Sequence, residues 1–144
     1  MIREAAERDR MRVLMMARDF HAASGIPVPF SAAYANSLFT TTLSDENRLC
    51  LVYAPGDVAQ GVLAAQVTQL AIASVKAATE IMWWIEPAHR GRAAIQMLEA
   101  YEAWARERGC QFANMVGLGN DPEPARLYER RGYTPAERHF VKQL

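Results

Sequence analysis

The sequence predicts a mixed α/β protein in which helices pack against a sheet. Apolar residues recur at helical spacing over residues 94–105, and residues 79–85 form a run that is apolar on both faces, as in a strand covered on both sides. Strand-like and helical segments follow one another along the whole chain. No repeat, low-complexity tract or flexible linker interrupts them, so we expect one domain over residues 1–144.

The composition is that of an ordinary globular protein, with 144 residues, 51% hydrophobic and 22% charged. Basic and acidic side chains number 16 each, so no net field attracts nucleic acid or an anionic membrane, and we expect neither as a partner. The charged N-terminus has no apolar core of signal-peptide length, and no apolar stretch approaches a membrane span. We therefore expect a cytoplasmic protein.

The residues that most often bind metals are scattered in this sequence. His21, His89 and His139 lie far apart and lack ligand spacing, so we expect no metal site. Cys50 and Cys110 are the only cysteines, and each lies in an apolar, strand-like run. We interpret both as free thiols in a reducing compartment.

The first third of the chain is predicted to contain a short strand and two helices. Residues 1–5 form the strand, and residues 7–23 have the apolar periodicity of a helix. The prolines of residues 25–29 end that helix, because proline cannot continue the hydrogen-bond ladder. Ser31 is a suitable cap for a second helix that ends near Leu43.

The middle of the chain is predicted to form strands. Residues 48–54 and 58–68 flank a Pro-Gly-Asp turn and form an antiparallel hairpin. The secondary structure of residues 70–77 is ambiguous from the sequence. Residues 79–85 form the doubly covered strand.

The last third is predicted to alternate helices and strands. A long helix from Ala94 stops at Gly109, and residues 111–116 form a strand. A short helix over residues 122–131 has Asp121 as its cap, and residues 133–144 return as one or two strands.

Two segments carry the chemistry, and the first joins a buried strand to the long helix. The first turn of a helix leaves backbone N–H groups unpaired and concentrates positive charge, which favours phosphate binding. In this segment Gly91, Ala93 and Ala94 are small enough for a pyrophosphate to approach, and Arg90 and Arg92 add charge. A tight turn with a purely structural role would look similar.

The second segment, residues 125–133, is a short helix that ends at Gly132 and contains Tyr128. Taken alone, it is a helix with a glycine stop, and Tyr128 would be a packing residue. Together and in this order, the two segments resemble the acetyl-CoA motif and the second motif of the GNAT acetyltransferase superfamily. The first motif is a strand followed by Arg or Gln, two residues, Gly, one residue, then Gly or Ala. The resemblance covers nearly the whole chain, including a first strand at Ile2–Ala5.

The resemblance implies a fold with a central, mostly antiparallel mixed sheet, helices on both faces, and about six or seven strands and four helices. The chain departs from the family pattern in its loop. Ala93 stands where the family usually has its first loop glycine, and the loop is one residue shorter than usual. These changes resemble a branch of phage-type and bacterial members. A methyl group is tolerated at that position if the backbone stays helical.

The resemblance also implies direct transfer of an acetyl group from acetyl-CoA to a primary amine within a ternary complex. Tyr128 matches the family's general acid, which protonates the departing thiolate. We select Glu80 as the base, acting directly or through water, because burial would raise its pKa toward neutrality. A Glu80 that pairs with an arginine or lies at a solvated strand end is the alternative, and Glu86 is a weaker candidate.

The coenzyme is expected along the strand-to-helix segment. The strand edge pairs with the pantetheine arm, the helix start binds the pyrophosphate, and Asn120 precedes the second motif where an Asn is common in the family. The expected coenzyme-binding residues are Trp84, Ile85, Glu86, Arg90, Gly91, Arg92, Ala93, Ala94 and Asn120.

The acceptor, a small-molecule or peptide amine, is not identified by the sequence. Residues 19–45 and 70–77 are expected to set its specificity, and His21 lies on the acceptor side. A homodimer would agree with the resemblance. Two alternatives stay open: a GNAT-fold module that binds acyl-CoA, or nothing, without catalysis, and an interaction domain that uses Trp83, Trp84 and the Met-rich first helix as a contact surface.

Overall fold

The computed structural model describes residues 1–118 and 122–144 of the chain. Within these residues it contains five strands and four α-helices, and none of the helices is long and apolar enough to cross a membrane. In chain order the elements are β1 Ile2–Glu4, α1 Arg10–Ser24, α2 Ala32–Ser44, β2 Arg48–Tyr53, β3 Gly61–Gln69, β4 Lys76–Ile85, α3 Arg92–Glu107, β5 Phe112–Asn114 and α4 Pro122–Arg130.

The strands form one sheet in the order β1-β2-β3-β4-β5. Strands β1 to β4 pair antiparallel with one another, and β5 is parallel to β4. The predicted hairpin is β2 and β3, whose closing pair is Tyr53 and Gly61. The mostly antiparallel mixed sheet expected from the sequence is therefore confirmed.

Helices cover both faces of this sheet, as expected. Alternate residues of β2 and β3 point to opposite faces, so each strand contributes to two cores. Helices α1 and α2 bury Met16 and Phe39 on one face, and α3 buries Met97 and Tyr101 on the other. Each such side chain stabilises the fold by about 1.5–3 kcal/mol relative to its exposed state.

The residues that suggested a contact surface lie partly in the core and partly at the surface. Trp83 and Trp84 are neighbours on β4, and they pack against opposite cores. Met16 is fully buried, whereas Met11 and Met15 are exposed. The two tryptophans thus belong mainly to the packing of the sheet.

Helix boundaries follow the predicted signals. The Ser31 hydroxyl accepts a hydrogen bond from the backbone N–H of Tyr34 at 3.3 Å and so caps α2. Gly109, which follows α3, has φ +76°, a conformation that side chains rarely adopt. The predicted helix stop is therefore confirmed.

The strand count is lower than the six or seven expected. Residues 133–144, all of which the structure describes, contain no strand. Pro135 has no N–H to donate to a ladder, and Phe140 and Val141 are adjacent, so they do not alternate as a half-covered strand requires. Strand β5 is three residues long and offers a short edge for pairing. Of the ambiguous residues 70–77, residues 70–75 form the turn before β4 and the last two begin that strand.

Strand β4 contains a β-bulge next to the point where its pairing with β5 ends. Ala65 pairs with Glu80 and Ala64 pairs with Met82, so Ile81 is an extra residue in a β-bulge. Pairing between β4 and β5 stops just before the bulge, at Thr79 and Asn114. Among the described residues, the remainder of β4 has no strand partner on that edge.

Candidate active site

The edge of β4 opens beside a chain segment held by two phenols. At the end of β5, the carbonyl of Asn114 accepts a hydrogen bond from the Tyr101 hydroxyl of α3 at 2.8 Å. Two residues later, the carbonyl of Val116 accepts one from the Tyr128 hydroxyl of α4 at 3.0 Å. Residues 114–116 are thereby fixed where they leave the sheet, opposite the unpaired edge of β4.

Glu80 faces this gap from the β4 side. It is 7% exposed, and it lies across from Ala65 on the sheet face that α3 covers. Burial raises the pKa of its carboxyl from 4.5 to about 7, although a hydrogen bond from the backbone N–H of Val116 acts in the opposite direction. The structure describes no ion pair between Glu80 and an arginine in residues 1–118 and 122–144, and burial excludes a solvated strand end.

Tyr128 faces the same gap from α4. It is 8% exposed, and its ring stacks on Trp83 with the centroids 6.1 Å apart. Burial raises the pKa of its phenol, and the charges of Glu80 and Tyr133 add to this effect. The phenol is therefore protonated at neutral pH, ready to donate a hydrogen bond.

Glu80 and Tyr128 both contact the backbone of Val116, in the segment after β5. Val116 donates its N–H to Glu80 and accepts from Tyr128 through its carbonyl. Residue types alone did not indicate this meeting point, because it is made by the backbone. Tyr101, which lies within the apolar helical pattern of residues 94–105, also contributes through its hydroxyl.

The strand-to-helix segment is built around Gly91. Its φ of +108° and ψ of −113° lie in a region that favours glycine, although an added Cβ would meet nothing within 4 Å. Helix α3 starts at the next residue, so Ala93 is helical and its methyl group is buried in the α3 core. This agrees with the expectation that alanine is tolerated there.

The arginines of the segment differ in what they contact. The Arg90 Nε donates to the carbonyl of Ile85 at 2.9 Å, and its guanidinium lies 4.9 Å from the ring centroid of Trp84. Arg92 is exposed at the start of α3. The first-turn N–H groups of a helix have no partner four residues before them, but here the N–H of Ala94 donates to the carbonyl of Gly91 at 3.0 Å. The expected donor at Ala94 is therefore already used, which leaves those of Arg92 and Ala93.

The other expected coenzyme-binding residues lie on the same segment. The carboxylate of Glu86 pairs with Arg12 of α1 at 3.3 Å. Ile85 is buried in the α3 core, so only its backbone remains to contact a ligand. Asn120 lies outside the described residues. In the described part of the chain no cluster of three potential metal ligands occurs.

Comparison with known proteins identifies the family of this chain. A model of the acetyltransferase (GNAT) family matches residues 13–133. A transcriptional regulator from Bacillus halodurans C-125 has a similar structure, with 23% identity, a TM-score of 0.83, and 100% of this chain and 99% of that chain covered. A search of curated proteins found no match.

Two further similar structures contain the coenzyme or an analogue. A predicted acetyltransferase with acetyl-CoA from Clostridium acetobutylicum has 14% identity and a TM-score of 0.82, with 99% of this chain and 95% of that chain covered. AAC(6')-Iy in complex with the bisubstrate analogue CoA-S-monomethyl-acetylneamine has 16% identity and a TM-score of 0.78, with 100% of this chain and 97% of that chain covered. At these identities the likeness shows the fold, whereas the match of the family model over residues 13–133 shows that this chain belongs to the acetyltransferase (GNAT) family.

Proposed function

We propose that this protein transfers the acetyl group of acetyl-CoA to a primary amine by direct attack within a ternary complex. The single observation that carries the proposal is the convergence of Glu80 and Tyr128 on Val116, beside the unpaired edge of β4. A carboxylate with a pKa near neutrality and a protonated phenol are the acid–base pair that acyl transfer to an amine requires.

The coenzyme would lie along β4 and reach the start of α3. The edge of β4 at Trp84 and Ile85, which has no strand partner there among the described residues, would pair with the pantetheine amides. The carbonyl of Ile85 already accepts from Arg90, and the backbone of Glu86 is fully used, because its N–H donates to Gln60 and its carbonyl accepts from His89. The first-turn N–H groups of Arg92 and Ala93 would bind the pyrophosphate, with the Arg92 side chain adding charge, whereas the N–H of Ala94 already donates to the carbonyl of Gly91. The acetyl-CoA and CoA-analogue complexes among the similar structures support acetyl-CoA as the co-substrate.

Glu80 would remove the proton from the amine, directly or through a water molecule. A pKa of about 7 leaves a substantial fraction of the carboxyl ionised at neutral pH while keeping it basic enough to accept a proton. The amine nitrogen then bonds to the thioester carbonyl carbon, and the bond from that carbon to sulfur breaks.

Tyr128 would protonate the departing sulfur. In this structure its hydroxyl donates to the carbonyl of Val116, so it has to rotate toward the thiolate as charge develops there. The stacked Trp83 ring holds the phenol in place during that change. The two proton transfers balance, since Glu80 gains the proton that the amine loses and Tyr128 supplies the one that the thiolate takes.

The proposal is tested by measuring thiol release from acetyl-CoA with a panel of primary amines. We expect release that depends on both the amine and the protein. Acetyl-CoA alone should also raise the unfolding temperature, because a ligand at about 100 times its Kd stabilises by about 2.7 kcal/mol. Binding without thiol release for any amine would instead favour a non-catalytic acyl-CoA module.

A further inference from the structure

A cavity lies between α1, α2 and the sheet face that they cover. Its volume is about 500 Å³, which is within the range of pockets that hold small molecules. The walls are mainly apolar and come from both helices, their connecting loop and β4, with Leu14, Phe20, Phe30, Leu38, Ile81 and Met82 among them.

The floor of this cavity is the bulge of β4. Ile81 and Met82 line the cavity, whereas the preceding residue, Glu80, faces the opposite side of the sheet. The cavity and the carboxylate therefore lie on either side of the same short segment. Pairing with β5 ends one residue before it, so the cavity adjoins the open edge of β4.

The described residues that line the cavity include no Asp, Glu, Lys or Arg. The hydroxyl of Ser31 accepts from the N–H of Tyr34, and that of Thr42 donates to the carbonyl of Phe39. The Nε2 atom of His21 is buried without a hydrogen-bond partner among the described residues, and its ring contacts Phe30 edge-on at 5.7 Å. The cavity thus offers an apolar envelope with an unused imidazole nitrogen.

We propose that this cavity holds the apolar body of the acceptor, which makes the acceptor a monoamine with an alkyl or aryl group. The inference rests on the proposed function, since the cavity would present the amine to a thioester lying along β4. A second cationic group would lose its hydration without a carboxylate to pair with, so polyamines and aminoglycosides are poor acceptors. The His21 imidazole can satisfy one polar substituent on the apolar body.

A series of linear monoamines from ethylamine to hexylamine tests the proposal. We expect kcat/KM to rise by about threefold to fourfold for each added methylene group, because each buries more apolar surface. Phenethylamine should be a good acceptor, and spermidine should be a poor one. A flat series, or a preference for spermidine, would overturn the proposal.

A matched pair of variants locates the effect. Ala35 of α2 lines the cavity, and Ala33 lies on the same helix, exposed and outside the cavity lining. We expect Ala35→Leu to raise the KM for hexylamine about tenfold while leaving the KM values for ethylamine and acetyl-CoA unchanged. Ala33→Leu should change none of them. Equal effects of the two variants, or no effect of Ala35→Leu, would contradict the proposal.

Calorimetry separates failure of this proposal from failure of the proposed function. If acetyl-CoA binds and some amine is acetylated, but hexylamine and ethylamine react alike, only the cavity proposal fails. If no amine is acetylated, the proposed function fails. Direct titration with hexylamine then still tests the cavity: binding lost in Ala35→Leu and kept in Ala33→Leu supports it, and any other pattern overturns it.

Discussion

At the scale of the residue, the burial of Glu80 determines the pH at which the protein would work. A carboxyl with a pKa of about 7 is largely protonated at pH 6 and largely ionised at pH 8. Only the ionised form accepts a proton. The base would therefore become active across the neutral range rather than near pH 4.5.

The first prediction is a pH profile that depends on this residue. We expect kcat/KM to rise through a midpoint near pH 7 in the wild type, in addition to the rise caused by ionisation of the amine itself. Glu80→Gln should lower the rate by about 100-fold at pH 8 and remove the midpoint near 7. The ratio of wild-type to variant rates over pH 5.5–9 cancels the ionisation of the amine and isolates Glu80.

The control for this change is Glu107→Gln, at the exposed far end of α3. It removes the same charge without touching the gap between β4 and β5. A ratio that stays constant with pH for Glu80→Gln, as it should for Glu107→Gln, would exclude Glu80 as the base.

The second prediction concerns the hydroxyl of Tyr128. Tyr128→Phe keeps the ring stacked on Trp83 but removes the donor to the thiolate. We expect kcat to fall about 100-fold, with the Kd for acetyl-CoA nearly unchanged. Stability should fall by about 1 kcal/mol, because the carbonyl of Val116 loses a hydrogen bond. Steady-state rates, calorimetry and urea unfolding measure the three effects.

Tyr101 provides a matched control for that substitution. Its phenol is also buried, and it donates to the carbonyl of Asn114 two residues before Val116. Tyr101→Phe should cost about as much stability as Tyr128→Phe without the loss of kcat. If both variants lose kcat equally, the hydroxyl of Tyr128 acts only by holding the chain after β5.

At the scale of the element, helix α3 combines a structural and a binding role. Its apolar face packs on the sheet, while its start offers unpaired N–H groups and the positive end of the helix dipole. The positive φ of Gly91 turns the chain from the short 3-10 turn at Pro87–His89 into that helix. The proposed diphosphate site is thus a consequence of how the chain turns.

The third prediction compares the two ends of α3. Arg92→Glu should raise the Kd for acetyl-CoA about tenfold, because it replaces an attractive charge at the helix start with a repulsive one. Arg106→Glu makes the same charge change roughly 20 Å away along the helix, about two Debye lengths at 0.1 M salt, and should leave the Kd within about twofold. Titration calorimetry at constant salt measures both.

Unfolding of the Arg92→Glu variant would not explain a higher Kd for acetyl-CoA. A carboxylate in the first turn of a helix interacts favourably with the helix dipole, so Arg92→Glu is not expected to destabilise α3. Equal Kd values for the two variants would show that the diphosphate does not bind at this helix start.

The elements that the sequence predicted correctly are those with a local signal. The apolar spacing of α3 and the cap at Ser31 each depend only on residues close in sequence, and the structure contains both. The predicted strands in residues 133–144 were wrong because a strand also needs a partner edge, which no local pattern guarantees.

The site was less predictable than the helices. Residue types and family resemblance selected Glu80 and Tyr128, but the bulge at Ile81 and the contacts with Val116 depend on register and on backbone atoms. The cavity above the bulge likewise arises from the packing of α1 and α2 on the sheet. Such features follow from tertiary structure and have no signature within a short stretch of sequence.

At the scale of the whole molecule, the carboxyl that would act as the base also reduces the stability of the fold. In the unfolded chain Glu80 releases its proton near pH 4.5, whereas in the folded protein it keeps the proton up to about pH 7. Between these values the folded state binds more protons than the unfolded state, so the free energy of unfolding falls as pH rises. Above pH 7 both states are ionised and the loss is complete.

Ionisation of Asp9 has the opposite effect on the free energy of unfolding, and it acts in a different pH range. A hydrogen bond from Arg3 lowers the pKa of its carboxyl below the ordinary value of 3.8. Its contribution is therefore present above that value and is lost only as pH falls further. Asp9 does not titrate between pH 4.5 and 7, so the effect of Glu80 on stability can be measured separately in that range.

The fourth prediction is that Glu80→Gln stabilises the protein as pH rises. Near pH 4.5 the two proteins should unfold with similar free energies, because both side chains are neutral and the Gln carbonyl can still accept from the N–H of Val116. By pH 8 the variant should be more stable by up to about 3 kcal/mol, the cost of ionising a carboxyl whose pKa is raised this far. Urea unfolding at pH 4.5, 6 and 8 measures the difference. Parallel curves for the two proteins would mean that Glu80 ionises in the folded state as easily as in the unfolded chain, and that its burial does not make it a base for neutral pH.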